Sequence, residues 1–578
     1  MTRLARLAAF VASLLLVSSW LPAPQAQDSP ILAAMRDELK RSAAELRLKD
    51  EPAPYYIDYE VVDVSTLRVV ARLGSLLDET VARSRTLQVD VRVGDYAFDS
   101  SRFVIQNRPG GNGSTIAPLD DDYDAMRRQI WLATDTAYKR AVSVFARKKA
   151  AFQNRAGVDQ IPDLSRETPV ETVQAATGTG APRRTWVERA QQLSAMFASS
   201  AAIAASDVWA TETRGMRYYV NSEGFTTIAP VQLANLRVTA EAQADDSMMV
   251  RDGFSLVEKR LEDLPPMPAL VARTREVADR VTAQRTAPVG DEFTGPVLLE
   301  GQGSAEFIAE TLVPLMLALR PADSDNPRLA QAQGQGTPFL RRIGLRVLSD
   351  AFSISDTPSL SEYGGRPVPG AYQVDDEGVQ PRDVNLVDKG RLLTLLTSRT
   401  PQKSLLQSNG HSRAGVQAGV FQMQSALAVP ASELKSKYLD MLRAQDKAFG
   451  YIVRGIANPN EIAVGGGPGG PFILEAVKVT LDGKEQSVRG LRFGAVTPAA
   501  FRDLVEASQE RTLYSYRGGA ADAVSAIVPT RSSRFRESPT SCRNRRLFRR
   551  LFGIEDVRVK TSDRGGVPGH LHDVYYTS

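Results

Sequence analysis

GAYQVDDEGVQPRDVNLVDKGRLLTLLTSRTPQKSLLQSNGHSR, residues 370–413, is the stretch from which the fold is read. An acidic turn, Asp375-Asp376-Glu377-Gly378, precedes an apolar run that predicts a strand over 384–396, with turn chemistry at Lys389-Gly390. Asp side chains in such turns bond the backbone just ahead of them, so the acidic turn is first a cap for the following strand. Its second reading is a seat for a hard cation such as calcium or magnesium. The stretch closes on a polar loop, Ser408-Asn409-Gly410-His411-Ser412-Arg413, which holds one of only three histidines in the chain.

Outward from this stretch, 578 residues exceed what one core accommodates. We expect an export signal over 1–27, an N-terminal region over 28–290, a C-terminal domain over 291–529 and an arginine-rich tail over 530–578. The N-terminal region reads as a helix over 29–48, stopped by Pro52 and Pro54. A meander of strands over 55–62, 67–73 and 86–93 follows, then a long amphipathic helix over 120–153. A helix over 185–204, strands within 208–242 and a helix over 261–287 complete it. In the C-terminal domain we expect a strand over 296–299 and a helix over 303–319. Further strands are expected over 462–464, 472–481 and 491–496, and helices over 430–445 and 497–508. Mixed helices with mainly antiparallel strands make the fold class α+β.

Arg3 and Arg6 followed by the apolar run 7–20 have the plan of a secretory signal, and that run is short for a membrane span. The expected location is therefore periplasmic or secreted, with no stable membrane span after signal removal. Cys542 is the only cysteine, so neither an intramolecular disulfide nor a cysteine zinc cluster is available. The whole-chain charge is +4, but residues 531–550 hold eight arginines against Glu537, a net of +7, and the remainder sums to −3. A basic nucleic-acid face on the folded part is not supported.

Several blocks in order carry a family resemblance: Gly295-Pro-Val-Leu-Leu299, Tyr372 to Gly378, Asp388-Lys-Gly-Arg-Leu392, Thr397-Ser-Arg399, Ser408 to Arg413 and Gly490-Leu-Arg-Phe493. Together they resemble the TldD/PmbA family, also called modulators of DNA gyrase or U62-type peptidases. The resemblance implies a proteolytic machine in which one subunit binds zinc through an HExxxH helix and a further cysteine. A zinc-less relative completes the assembly, and unstructured peptides are the implied substrate. Here the corresponding helix carries Glu306 and Glu310 but no histidine, and the Gly465–Gly470 loop carries no cysteine. Catalytic zinc needs about three protein ligands and an open position, so no metal site is assigned.

The resemblance places the Ser408–Arg413 loop near the substrate groove. The residues it offers for substrate binding are Asp375, Asp376, Glu377, Ser408, Asn409, Gly410 and His411. Candidates for catalysis reduce to Glu306, Glu310 and His411. The leading expectation is a zinc-less partner or peptide-binding subunit that associates with a zinc-bearing TldD-like chain or with itself. The alternatives are a hydrolase with a non-standard metal site and a non-catalytic envelope protein. His570 and His572, spaced for chelation on a strand, lie in the tail and carry less weight.

Overall fold

The computed structural model describes residues 29–534, apart from short stretches at 106–113, 154–160, 176–177, 179, 334–335, 459–469 and 520–521, together with 559–561. The expected signal, the strand at 462–464, most of the Gly465–Gly470 loop, Cys542, His570 and His572 therefore lie outside the described residues. Among those described, no helix is long and apolar enough to cross a membrane.

The first half is organised by very long strands. β1 (Pro54–Arg72) and β2 (Ser75–Val93) form a hairpin. They are joined at Leu73 (φ +48°) and Gly74 (φ +85°), the two positive-φ residues of a tight primed turn. The expected break near 63–66 is absent, because β1 continues through it paired on both sides. The small strand β3 (Ser114–Ile116) pairs with β2, β4 (Glu171–Val173) pairs with β6 (Thr226–Gln243), and β5 (Ala205–Asn221) and β7 (Met249–Glu258) complete the sheet. The sheet order is β3-β2-β1-β5-β6-β4, with β7 paired to β6.

Period-two alternation assigns the two faces of this sheet different partners. Ile57, Tyr59 and Val61 pack under α1 (Pro30–Glu45) and α2 (Tyr123–Gln153). Leu67, Val69 and Ala71 lie on the same face, farther along, under α3 (Arg183–Ala195) and α4 (Met267–Thr286). The opposite face carries Tyr56, Glu60, Arg217 and Tyr219 and meets the second half of the chain.

Two six-stranded sheets build that second half. One runs β13-β12-β9-β14-β21-β20: β9 (Phe352–Asp356), β12 (Val384–Asp388), β13 (Arg391–Leu392), β14 (Val420–Ser425), β20 (Arg511–Arg517) and β21 (Ala523–Pro529). The other runs β17-β16-β15-β8-β22-β19: β8 (Val297–Glu300), β15 (Phe449–Ile456), β16 (Ile473–Thr480), β17 (Glu485–Val488), β19 (Leu504–Ala507) and β22 (Arg531–Arg534). Both contribute to one continuous core that encloses α5 (Gln302–Thr311). A short helix, α6 (Pro327–Ala332), and α7 (Ala431–Ala444) lie along this half. So do a small hairpin, β10 (Glu362–Tyr363) with β11 (Arg366–Pro367), and the pair β18 (Leu491–Phe493) with β23 (Val559–Thr561). The architecture is α+β.

Local chemistry explains where the elements depart from the sequence reading. The helix expected over 303–319 ends at Thr311, because Pro314 cannot donate its backbone bond and the chain tightens into a 3-10 turn. The strand expected over 384–396 is a hairpin turning at Lys389 (φ +44°) and Gly390 (φ +76°). The segment 497–508 is a 3-10 turn followed by β19 rather than a helix. The tail expected from 530 begins instead with β22, which pairs with β8 and β19 and completes their sheet.

Candidate functional site

The acidic turn forms a closed knot. Asp375 is buried; its Oδ1 accepts from the N–H groups of Glu377 at 3.0 Å and Val379 at 2.8 Å, and its Oδ2 from Ser412 N at 3.1 Å. Asp376 accepts from Ala414 N at 2.6 Å and pairs with Arg217 from β5. Glu377 accepts from Arg399 N at 2.7 Å. Gly378 (φ +79°) is required here, since a Cβ would meet the Phe225 ring at 2.9 Å. Burial raises all three carboxyls above their ordinary range, and for Asp376 the Arg217 charge opposes it.

The 408–413 loop is equally committed. Asn409 Oδ1 accepts from Thr397 N at 2.8 Å, and its Nδ2 donates to Leu395 O at 2.9 Å, which fixes the amide orientation. Ser408 Oγ accepts from Gly410 N at 3.0 Å. His411 is fully buried, with Nδ1 at 2.9 Å from Asn409 Oδ1 and Nε2 at 3.1 Å from Asp356 Oδ1. Each ring nitrogen therefore faces an oxygen acceptor, and neither points to open space. Arg399, also fully buried, grips Glu223 at 2.6 Å and 3.0 Å and lies over the Tyr56 and Phe225 rings. The seven residues expected to bind substrate are thus brought together, and their polar atoms are spent on each other and on the seam between the two halves.

Glu306 sits elsewhere, on α5, which begins after Gly301 (φ +60°) and approaches β15 so closely that a Cβ on Gly303 would lie 2.7 Å from the Arg454 backbone. Its Oε2 accepts from Ile456 N at 2.7 Å and its Oε1 from Gln302 Nε2 at 2.5 Å. Burial pushes its carboxyl up to about 8, and that of Glu310, one turn on, up to about 7. These residues do not fit a catalytic zinc. Glu306 is committed to Ile456 and Gln302, and His411 to Asn409 and Asp356. Among the described residues, no three His, Cys, Asp or Glu side chains come together as a metal centre needs.

One opening adjoins this helix. A cavity of about 180 Å³ is lined by residues 255–258 of β7, 512–515 of β20, and the side chains of Gln302, Arg273 and Arg366. β7 has β6 as its ladder partner and β20 has β21, so each strand has one edge outside its ladder. Arg273 bonds Gln302, which bonds Glu306, so the cavity wall and the buried carboxyl are linked through one side chain. Sequence reasoning found Glu306 but missed β7, Glu258, Arg273 and Arg366. The Gly364-Gly365 pair, both at positive φ, was the available signal for the hairpin that presents Arg366.

Residues 294–530 match the model of the PmbA/TldA metallopeptidase C-terminal domain. No curated protein matches the chain. Among solved structures, a Thermotoga maritima protein described as a candidate modulator of a DNA gyrase superposes with a TM-score of 0.55 at 12% identity, covering 83% of this chain and 94% of that one. TldE from Thermococcus kodakarensis gives 0.53 at 12% identity, covering 87% and 98%. A candidate modulator of DNA gyrase from Bacteroides thetaiotaomicron gives 0.55 at 12% identity, covering 89% and 100%. At this identity the likeness is one of fold.

Proposed function

The chain belongs to the TldD/PmbA family, and from that premise we propose that it acts in proteolysis or peptide processing as a zinc-less, peptide-holding subunit. The observation that carries this reading is the cavity between β7 and β20, where two strands, each paired within its own sheet on one side, meet beside α5. An extended peptide binds such edges by adding a strand, with main-chain bonds supplying affinity and side-chain pockets supplying selectivity. Neither a metal nor a nucleophile is needed for that task. The catalytic centre would come from a zinc-bearing relative or, in a self-association, from outside this chain altogether. We further propose that the protein is exported, on the strength of its N-terminal charge and apolar run.

The test is direct binding of a fluorescent, unstructured peptide to the purified full chain, followed by anisotropy. Saturable binding that is lost when bulky side chains replace Thr512 and Ser515 supports the reading; absence of binding overturns it. The competing reading is a hydrolase built on Glu306, whose raised carboxyl could serve as a general acid. Tightly held zinc at about one per chain after dialysis, with peptide cleavage lost in Glu306→Gln, would favour that rival. Cell fractionation and the mass of the mature amino terminus test export.

A further inference from the structure

A second cavity, of about 320 Å³, lies where β7 and α4 of the first half meet β16 and β18 of the second. That volume falls at the lower end of the range for small-ligand sites, about 300–1,000 Å³. Its wall is apolar over Met249, Val250, Phe472, Ile473 and Leu491. Met249 is 53% exposed while Val250 and Leu491 are buried, so the cavity has an open mouth and a dry floor.

Gln284, from α4, is the one polar side chain without charge among the residues that line it, and only 7% of it is exposed. Its Nε2 donates to Leu474 O at 2.6 Å. A carbonyl oxygen only accepts, so this bond fixes the amide with its nitrogen toward Leu474 and Oε1 on the other branch. Oε1 accepts from no described residue, yet it is not one of the sealed, unpartnered atoms of the interior, as Glu258 Oε2 is. With so little of the residue exposed, the cavity it lines is the face from which this acceptor is reached.

The charged groups of the wall are already matched. Arg251 pairs with Glu241, its cross-strand neighbour. Arg489 donates to Asp246 at 3.0 Å, to Ala287 O at 2.8 Å and to Met248 Sδ at 3.1 Å. An ion entering here would give up hydration without meeting an unmatched opposite charge, a cost that a neutral molecule avoids. An aromatic ring suits the remaining wall, since rings pack on one another edge to face or offset, and a thioether makes favourable contact with a ring.

We infer that this cavity is a binding site for a neutral aromatic ring bearing a single N–H or O–H donor, an indole or a phenol. The donor bonds Gln284 Oε1 and the ring lies between Met249 and Phe472. Such a ring arrives as a free molecule or as a tryptophan or tyrosine side chain of a peptide. The cavity lies at the opposite end of β7 from residues 255–258, so this site stands whether or not a peptide is held against β20.

Four compounds separate the outcomes, each titrated against the full chain by ligand-detected NMR: indole, its donor-less isostere benzothiophene, the anion indole-3-acetate, and N-acetyltryptophanamide. Indole should bind about tenfold more tightly than benzothiophene, and more tightly than indole-3-acetate. N-acetyltryptophanamide binding as well as indole identifies a peptide side chain as the source, and its failure beside bound indole identifies a free molecule. Gln284→Met removes the acceptor and should bring indole and benzothiophene to within about twofold while benzothiophene affinity is kept. Met249→Ala, at an exposed position, should weaken both rings alike by about threefold. Should Gln284→Met fail to fold, the indole-to-benzothiophene ratio of the unaltered chain and the Met249→Ala loss still decide. Equal binding of indole and benzothiophene, tighter binding of the anion, a ratio unmoved by Gln284→Met, affinities unmoved by Met249→Ala, or no binding of either ring at millimolar concentration would overturn the assignment.

Discussion

The knot formed by residues 375–378 and 408–413 and the cavity between β7 and β20 are opposites. The knot is dense in motif residues, and most of its polar groups are engaged: Asp375 takes three backbone N–H groups, the Asn409 amide bonds Thr397, Leu395 and His411, and both His411 nitrogens have partners, while Oδ2 of the buried Asp356 beside His411 has none. The cavity carries almost no motif, and there a buried carboxylate oxygen stands without a partner. Motif density therefore marks the seam that holds the two halves together, and the opening between β7 and β20 marks the candidate binding surface.

This contrast breaks most readily at Arg399. Arg399→Ala leaves Glu223 without its bidentate partner in the seam and should cost about 3–5 kcal/mol in chemical denaturation. A loss below about 1 kcal/mol would show that the seam is not held by its ion pairs.

Glu306 tests the boundary between the two regions through pH. Its carboxyl is raised to about 8 in the folded chain from an ordinary value near 4.5, so the folded state binds the proton more tightly. Stability from this group is full below about 4.5 and declines as pH rises toward 8. Glu306→Gln should flatten that decline, with a gain of a few kcal/mol near pH 8 and almost none near pH 4, read from thermal unfolding across pH. An unchanged pH slope would remove Glu306 from both the stability argument and the rival catalytic one.

Asp375→Ala strips the acceptor from three backbone N–H groups and should cost about 1–3 kcal/mol. If it lowered peptide affinity without lowering stability, the knot would have to be counted as a binding surface after all. The smallest effect belongs to the cavity. Glu258→Gln should change stability by no more than about 1 kcal/mol in chemical denaturation, since an unpaired oxygen is exchanged for an amide.

Much of the local structure was legible. The acidic turn reads as backbone-capping chemistry, and Asp375 caps as expected, because that bond needs only residues two and four ahead. The first helix, by contrast, ends at Glu45, seven residues before Pro52, so the proline pair expected to stop it lies too far along the chain to do so. The reading of β1 as two strands went astray at Asp63 to Thr66, where polar side chains look like a turn but lie within a strand paired on both sides. Glu306 was legible as a lone carboxyl on a helix; its raised proton affinity was not, since that depends on burial against β15. The loop expected to face substrate packs in the seam, where Asp356, Asp375 and Thr397, each distant in sequence, meet its polar groups.

What the amino-acid sequence determined by itself is the α+β class, the family blocks and the absence of histidine from the α5 segment, all of which depend on residue identity and short spacing. Tertiary structure alone decided which polar groups are spent and which remain. Arg399 is satisfied by Glu223 and Ser165. Glu258 is left one donor short between strands that lie more than 250 residues apart. Hydrogen bonding is settled within a few ångströms, and only the folded chain says which residues come that close.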